Sequence, residues 1–254
     1  MLRVISERLR QGRRTIAYPK AAPVLPERFL GRPAVDPAAC KPGCQGCLSV
    51  CPTGALMATP SGPALDLGRC IFCGACQRAC PGGAVVFGRD HRLAARRRED
   101  LVATGGQGPR FEALENARRK LFAGSLRLRQ VSAGGCGACE ADLNVLTTVV
   151  FDIGRFGIEF VASPRHADGL VVTGPVSRNM LGALLATHEA TPDPKIVVAS
   201  GACAISGGLY AGLPETRDGA TAHLPVDLFV PGCPPHPAVV LDGLLRLLGL
   251  PTPD

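Results

Sequence analysis

The sequence predicts an α/β chain, with a doubly wound parallel sheet in its C-terminal half and a small, cysteine-dense α+β block ahead of it. Three observations lead there. From Leu126 onward, short apolar runs alternate with helix-like segments. Two of those runs, "GLVVTG" and "KIVVAS", are continuously apolar, as strands covered on both faces must be. Upstream, eight of the twelve cysteines crowd between Cys40 and Cys80.

Taken in order, residues 1–35 are rich in Pro and Arg and read as an extended basic arm rather than a packed element. Residues 36–90 hold an internal repeat: "CLSVCPTGAL" ends one half and "CQRACPGGAV" the other, with Cys51 and Cys80 offset by 29 residues. Residues 91–125 are charged, are broken by "TGGQGP", and read as a linker with one helical piece, "FEALENARRKLFAG". Residues 126–254 then supply the alternation. It begins with "LRLRQVSAG", "EADLNVLTTVVFDIGRFG", "IEFVASP" and "ADGLVVTGPVS". It continues with "RNMLGALLATHEA", "KIVVASGAC", "VDLFVPGCPP" and "PAVVLDGLLRLLGL".

Composition narrows the function. With 254 residues and 46% hydrophobic content the chain can bury a substantial core. Aromatics at 4% and the absence of Trp argue against a stacking platform for nucleic acid or sugar. The net charge of +7 is concentrated in residues 1–33 and 89–129. For a single arginine this reads as solvated surface; as two segments it suits docking on acidic subunits or anionic lipid head groups. Nothing aromatic interleaves with it as nucleic-acid binding would ask. The N-terminal stretch lacks an apolar run of signal-peptide length, and "GRRT" is followed by prolines and charges where a twin-arginine leader would be apolar. No segment reaches the roughly 18 apolar residues of a membrane span. The expected location is cytoplasmic, where clustered reduced thiols mean metal more often than disulfides.

The first eight cysteines form two sets. "CIFCGACQRACP" gives Cys70, Cys73, Cys76 and Cys80 the spacing C-x2-C-x2-C-x3-C-P, the bacterial ferredoxin pattern. In that pattern the fourth cysteine turns to the other cluster. "CKPGCQGCLSVCP" supplies Cys40, Cys44, Cys47 and Cys51, with one extra residue in the first gap that the "KPG" turn can absorb. The expectation is one [4Fe-4S] cluster on Cys40, Cys44, Cys47 and Cys80, and a second on Cys70, Cys73, Cys76 and Cys51. A zinc ribbon is the alternative; two interleaved sets that each end in Cys-Pro weigh against it. The block resembles the two-cluster ferredoxin modules of respiratory complex I and of membrane-bound hydrogenases, as does its lead-in "YPKAAPVLPERFLGRPAVDPAAC".

Four cysteines remain: Cys136, Cys139, Cys203 and Cys233. Each follows a predicted strand, and in a doubly wound sheet the carboxyl ends of the strands share one edge, where ligands bind. Glycines surround each one in "GGCGAC", "SGACAISGG" and "PGCPP". A thioredoxin-like dithiol would account for Cys136 and Cys139 only, and buried structural thiols for Cys203 and Cys233 one at a time. One more cubane accounts for all four, making three [4Fe-4S] clusters from twelve thiols.

"CGACEADL", "FGIEFVASPRHADGLVVTGPVSRNM", "GACAISGG" and "VPGCPPHP" resemble the small subunit of group 4 energy-converting [NiFe] hydrogenases, the formate hydrogenlyase type. They resemble the 20 kDa complex I subunit almost as closely. Complex I subunits typically carry adjacent cysteines where this chain has C-x-x-C at Cys136 and Cys139, which favours the hydrogenase. The resemblance implies a flavodoxin-like fold and a proximal cluster on Cys136, Cys139, Cys203 and Cys233 facing the nickel–iron site of a large subunit. It also implies further soluble-arm and membrane subunits, a formate dehydrogenase or ferredoxin as electron donor, and peripheral attachment to the inner face of the membrane through partners. No catalytic centre is implied in this chain. Glu140 resembles an acidic residue near a proton path at the subunit interface; a favourable carboxylate in the first turn of a helix is the other reading. Arg165 and His166 belong either to the face toward the large subunit or to solvent, and His236 is expected at the surface. Other assignments are a quinone-reducing complex I-like subunit, a nickel-free hydrogenase relative with a coupling role, or a zinc-binding protein.

Overall fold

The computed structural model describes residues 2–41, 43–60, 62–104, 111–122 and 124–252. Its C-terminal part is a five-stranded, wholly parallel sheet. The strands, labelled by their order in the whole chain, are β6 (Leu126–Ser132), β7 (Ile158–Phe160), β8 (Gly169–Thr173), β9 (Ile196–Ser200) and β10 (Leu228–Val230). They lie in the order β10-β9-β8-β6-β7, the flavodoxin arrangement, with its switch point between β6 and β8. Every residue of β8, β9 and β10 is buried, as their unbroken apolar runs require.

Helices cover both faces of this sheet. One face carries α6 (Arg178–Ala190), whose Leu184 packs with Val131, Leu170, Val172 and Val197. Against the other lie α5 (Ala138–Val145) and α8 (Pro237–Leu247), while the short α7 (Ala202–Ser206) caps β9. Ten of the eleven residues of α8 are buried. The predicted helix "EADLNVLTTVVFDIGRFG" is shorter than its pattern: α5 stops at Val145 and the rest turns back through a 3-10 turn at Ile153–Phe156. Thr147, Thr148, Val149 and Val150, four β-branched residues just past the helix end, favour leaving the helix.

The N-terminal block is an α+β unit of two small antiparallel sheets. Strand β1 (Pro33–Val35) pairs with β4 (Val85–Phe87), and β2 (Leu56–Thr59) pairs with β3 (Gly62–Asp66), which in turn pairs with β5 (Val102–Ala103). Short helices α2 (Gly46–Ser49) and α3 (Ala75–Ala79) carry the repeated cysteine motifs.

Two expectations about the connecting segments need correction. The arm is not simply extended. It contains α1 (Leu2–Gln11), gives Pro33–Val35 to the first sheet, and buries Tyr18 to 2% exposure. Its prolines remove backbone donors, so arginine side chains from elsewhere cap its carbonyls. Arg89 donates to the carbonyls of Leu25, Pro26 and Glu27, and Arg155 to those of Ile16 and Tyr18. Nor is the segment from residue 91 a tether. Leu93, Ala94, Ala95 and Leu101 are fully buried, Ala95 bridges Phe229 at the free edge of β10, and β5 completes the three-stranded sheet. Two of its arginines tie it down: Arg98 grips the buried Asp66 at 2.8 and 2.6 Å, and Arg96 donates to the Asp227 carbonyl. The helical piece forms α4 (Asn116–Phe122). Apart from Thr104, "TGGQGP" lies outside the described residues.

Arm, strap and sheet meet at a buried polar seam. The Tyr18 hydroxyl donates to Asp242 on α8 at 2.7 Å, Arg246 approaches the same carboxylate at 3.5 Å, and the buried His91 packs edge-on to the Tyr18 ring. Burial raises the Asp242 pKa against the pull of Tyr18, Arg246 and His91. A raised folded-state pKa means that the stability linked to this carboxyl is full at low pH and is lost as pH climbs through the folded value. Tyr18→Phe should therefore cost about 1–3 kcal/mol at neutral pH, where a buried acceptor loses its donor. The cost should shrink as pH falls and Asp242 takes up its proton; anaerobic chemical denaturation at neutral and at acid pH reads the difference.

Candidate metal centres

The two N-terminal sets are built by the repeat and interleave. Cys47 on α2 is raised by burial first, then by the charges of Cys80, Cys40 and Cys44, which brings those four sulfurs into one neighbourhood. Cys70 is pushed up to about 12 by burial, with Cys76, Cys51 and Cys73 adding to it and the Phe72 amide opposing. Cys76 likewise feels Cys51 and Cys73. The second half-repeat thus lends Cys80 to the first set, and the first half-repeat lends Cys51 to the second.

The cysteines before proline have a shared local structure. In "CPTGA" the Ala55 amide donates to Cys51 Sγ at 3.2 Å, and in "CPGGA" the Ala84 amide donates to Cys80 Sγ at 3.2 Å. Burial raises both thiols, but amides outweigh it and leave both below the usual thiol range: Thr53, Ala55 and Leu56 around Cys51, and Ala84, Gly82, Val85 and Gly83 around Cys80. The sequence repeat is therefore a repeat of sulfur solvation by backbone.

The last four cysteines converge at the carboxyl edge of the large sheet. Cys136 lies in the turn from β6 into α5, Cys139 in the first turn of α5, Cys203 in the first turn of α7 after β9, and Cys233 in the loop after β10. Cys139 is pushed up to about 12 by burial first, then by Glu140, Cys203, Cys233 and Cys136. Cys203 is pushed up to about 11 by burial, then by Cys233 and Cys136. Burial, with Cys136 adding to it, raises Cys233. Cys136 and Cys233 are exposed, so the set opens outward on one side.

Glycines permit the approach. Gly201 has φ +95°, and a Cβ there would stand 2.7 Å from Cys139 Sγ. Its amide donates to the Val230 carbonyl at 2.8 Å and that of Ala202 to Gly232 at 2.9 Å, which bolts the β9 loop to the β10 loop. The raised pKa values of Cys139, Cys203 and Cys233, held together with Cys136, suit a cationic centre that compensates for thiolate charge. Among the described residues, no three His, Cys, Asp or Glu side chains meet closely enough to chelate a single metal ion. The chemistry of the donor sets and the glycine cradle fit an iron–sulfur centre, and the N-terminal pattern is that of a pair of [4Fe-4S] clusters.

The ferredoxin sets and the sheet-edge set are neighbours in space. The turn before Cys70 docks on the helix that begins beside Cys203, where Ser206 Oγ donates to the Gly68 carbonyl at 2.9 Å. Ile71 and Phe72, between Cys70 and Cys73, share a cavity of about 210 Å³ with Cys233, Pro234 and His236.

Glu140 Oε1 accepts from Ser132 and Thr173 hydroxyls, both at 2.6 Å, and ties the first turn of α5 to the ends of β6 and β8. Burial would raise this carboxyl, but the two hydroxyls hold it below the usual range. Arg165 and His166 form a 3-10 turn ahead of β8, at the amino end of the strand and so away from the cysteine edge. His236 is not a surface residue. It is half-buried between the Phe29 and Phe151 rings, and its Nδ1 accepts from the Ala238 amide as the N-cap of α8. The Tyr18–Asp242 seam had no signal in the sequence, because its partners lie 224 residues apart.

Comparison with known proteins agrees with this division. A 4Fe-4S dicluster domain matches residues 39–84, and the NADH ubiquinone oxidoreductase 20 kDa subunit family matches residues 136–247. The probable membrane-bound hydrogenase subunit of Pyrococcus furiosus is 44% identical over 118 residues, 46% of this chain and 71% of that protein. Formate hydrogenlyase subunit 7 of Escherichia coli is 45% identical over 121 residues, which is 48% of each chain, so this chain spans about half of that relative's length. An NADH-quinone oxidoreductase subunit of Citrifermentans bemidjiense is 42% identical over 113 residues, 44% of this chain and 66% of that one. With a 4Fe-4S dicluster domain ahead of its parallel sheet, the chain belongs to the NADH ubiquinone oxidoreductase 20 kDa subunit family.

Proposed function

We propose that this chain is the iron–sulfur electron-transfer subunit of a membrane-associated, group 4 [NiFe]-hydrogenase-type complex of the formate hydrogenlyase kind. The observation that carries the reading is the convergence of Cys136, Cys139, Cys203 and Cys233 from three loops at one sheet edge, next to two interleaved ferredoxin sets. When bound, three [4Fe-4S] clusters would supply one-electron transfer between a partner's metal site and an external redox partner. The first would sit on Cys40, Cys44, Cys47 and Cys80, the second on Cys70, Cys73, Cys76 and Cys51, and the proximal one on the remaining four.

The chain's own groups bind, solvate and exclude water. Backbone amides reach Cys51 and Cys80, the shared core buries Cys47, Cys70 and Cys76, and the exposed Cys136 and Cys233 mark the side offered to a nickel–iron large subunit. Glu140, anchored by two hydroxyls, positions the turn that carries Cys139. Among the described residues, no helix is long and apolar enough to cross a membrane. Peripheral attachment on the inner face through partner subunits, with a formate dehydrogenase or ferredoxin exchanging electrons, completes the reading.

A second reading has its own support in the likeness to the NADH-quinone oxidoreductase relative: a complex I-like, quinone-reducing module, or a nickel-free relative. Nickel analysis of the complex purified anaerobically separates them. Stoichiometric nickel favours the hydrogenase, and its absence the other two.

Anaerobic preparations should contain about twelve irons and twelve sulfides per chain, from three cubanes. Cys203→Ser should lower the iron to about eight, while both ferredoxin signals persist in electron paramagnetic resonance. Gly201→Ala should have the same effect without touching a ligand, since its Cβ would collide with Cys139 Sγ in a left-handed backbone. Twelve irons in the Gly201→Ala protein would show that the cradle tolerates a side chain.

A further inference from the structure

Ser200 ends β9 immediately before Gly201 and is fully buried. Its hydroxyl has no hydrogen-bond partner among the described residues, a costly state for a polar group out of water. The pleat of β9 sets Ser200 on the same face as Ile196 and Val198, which pack in the core that includes Leu143 and Leu146 around α5. That face lies under the turn carrying Cys139, whose sulfur stands next to Gly201. The parallel register aligns Ser200 with Val230, just ahead of the Cys233 loop. An orphaned donor thus sits at the floor of the third cysteine set, between the loops that supply Cys139, Cys203 and Cys233.

We propose that the Ser200 hydroxyl donates a hydrogen bond to sulfur, a ligand thiolate or a cluster sulfide, at the floor of this third site, and so raises the reduction potential of the cluster held there. The proposal rests on the cubane reading of that site. Hydrogen bonds to sulfur stabilise the more negative, reduced state, which makes reduction easier. Ser200 is a positioning and tuning residue, with no part in bond chemistry.

Redox titration of the full chain, followed by electron paramagnetic resonance, tests it, with the proximal signal identified by its loss in Cys203→Ser. Ser200→Ala should retain about twelve irons and shift the proximal midpoint to more negative potential, so that the reduced-to-oxidised ratio at a fixed potential falls several-fold. The ferredoxin midpoints should not move. Ser200→Thr, which keeps the hydroxyl, should restore the native midpoint. Electron–nuclear double resonance after exchange into D2O should show a proton coupled to the reduced cluster that Ser200→Ala lacks. An unchanged midpoint and coupling in a twelve-iron Ser200→Ala protein would overturn the proposal and leave the cubane intact. About eight irons in the native chain would overturn both.

Discussion

Four thiolates brought together at a partly buried sheet edge repel one another, and the protein must still bring them there. That constraint shapes the C-terminal half. Cys139 and Cys203 are raised first by burial and then by each other's set, so neither would ionise readily without a compensating cation. The sheet offers a rigid edge on which the repulsion can be borne. Strands β6, β9 and β10 fix the roots of three loops, and two backbone hydrogen bonds clamp the β9 loop to the β10 loop. Gly201 then lets the Cys139 sulfur pass where any other residue would block it. Rigid strands with glycine-rich ends are one physical solution to holding a site that opposes its own assembly.

The ferredoxin block is fused into this scaffold. Its core and that of the sheet face under α5 and α8 form one continuous apolar cluster from Val35 to Leu248. The strap from residue 91 contributes to both units, closing the three-stranded sheet with β5 and covering the β10 edge through Ala95. Gly68 shows how close the contact is: a Cβ there would stand 2.9 Å from Ile205 on α7. Since Cys70 follows that turn and Cys203 begins that helix, the contact that joins the two units also fixes one cysteine set against another. Electron transfer depends steeply on separation, so a shared core serves the relay better than a flexible tether could.

Much of this was legible in the sequence for physical reasons. Strands buried on both sides need unbroken apolar runs, so β8 and β9 announced themselves, and "RNMLGALLATHEA" matches α6 end to end. The cysteine groupings were readable because chelation imposes spacing on a local segment and strand ends impose position on a distant one. What was hidden depends on contacts with no local period. A Pro- and Arg-rich arm looks extended whether or not Arg155 and Arg89 come from elsewhere to cap it. "RDHRLAARRRED" looks like a solvated run because charges outnumber the small residues, yet Leu93, Ala94 and Ala95 are the ones that set its course. His236 looked exposed beside three prolines, and only the folded chain brings Phe29 and Phe151 to its two sides.

The two kinds of cysteine site solve the same solvation problem differently. In the repeat, the chain after each Cys-Pro curls back and turns amides onto its own sulfur, so solvation is local and was duplicated with the motif: Cys51 with Ala55, Cys80 with Ala84. The third site takes its four sulfurs from three strand ends, and no single turn can wrap it. Donors there must come from side chains and amides already fixed by the sheet, which is the position Ser200 occupies at the end of β9. A locally wrapped sulfur keeps its environment when partners come and go. A sulfur solvated by groups on several strands, in a set open at Cys136 and Cys233, responds to whatever docks on that face. That difference suits the proposed relay, in which the ferredoxin sets would pass electrons along and the sheet-edge set would meet the partner that uses them.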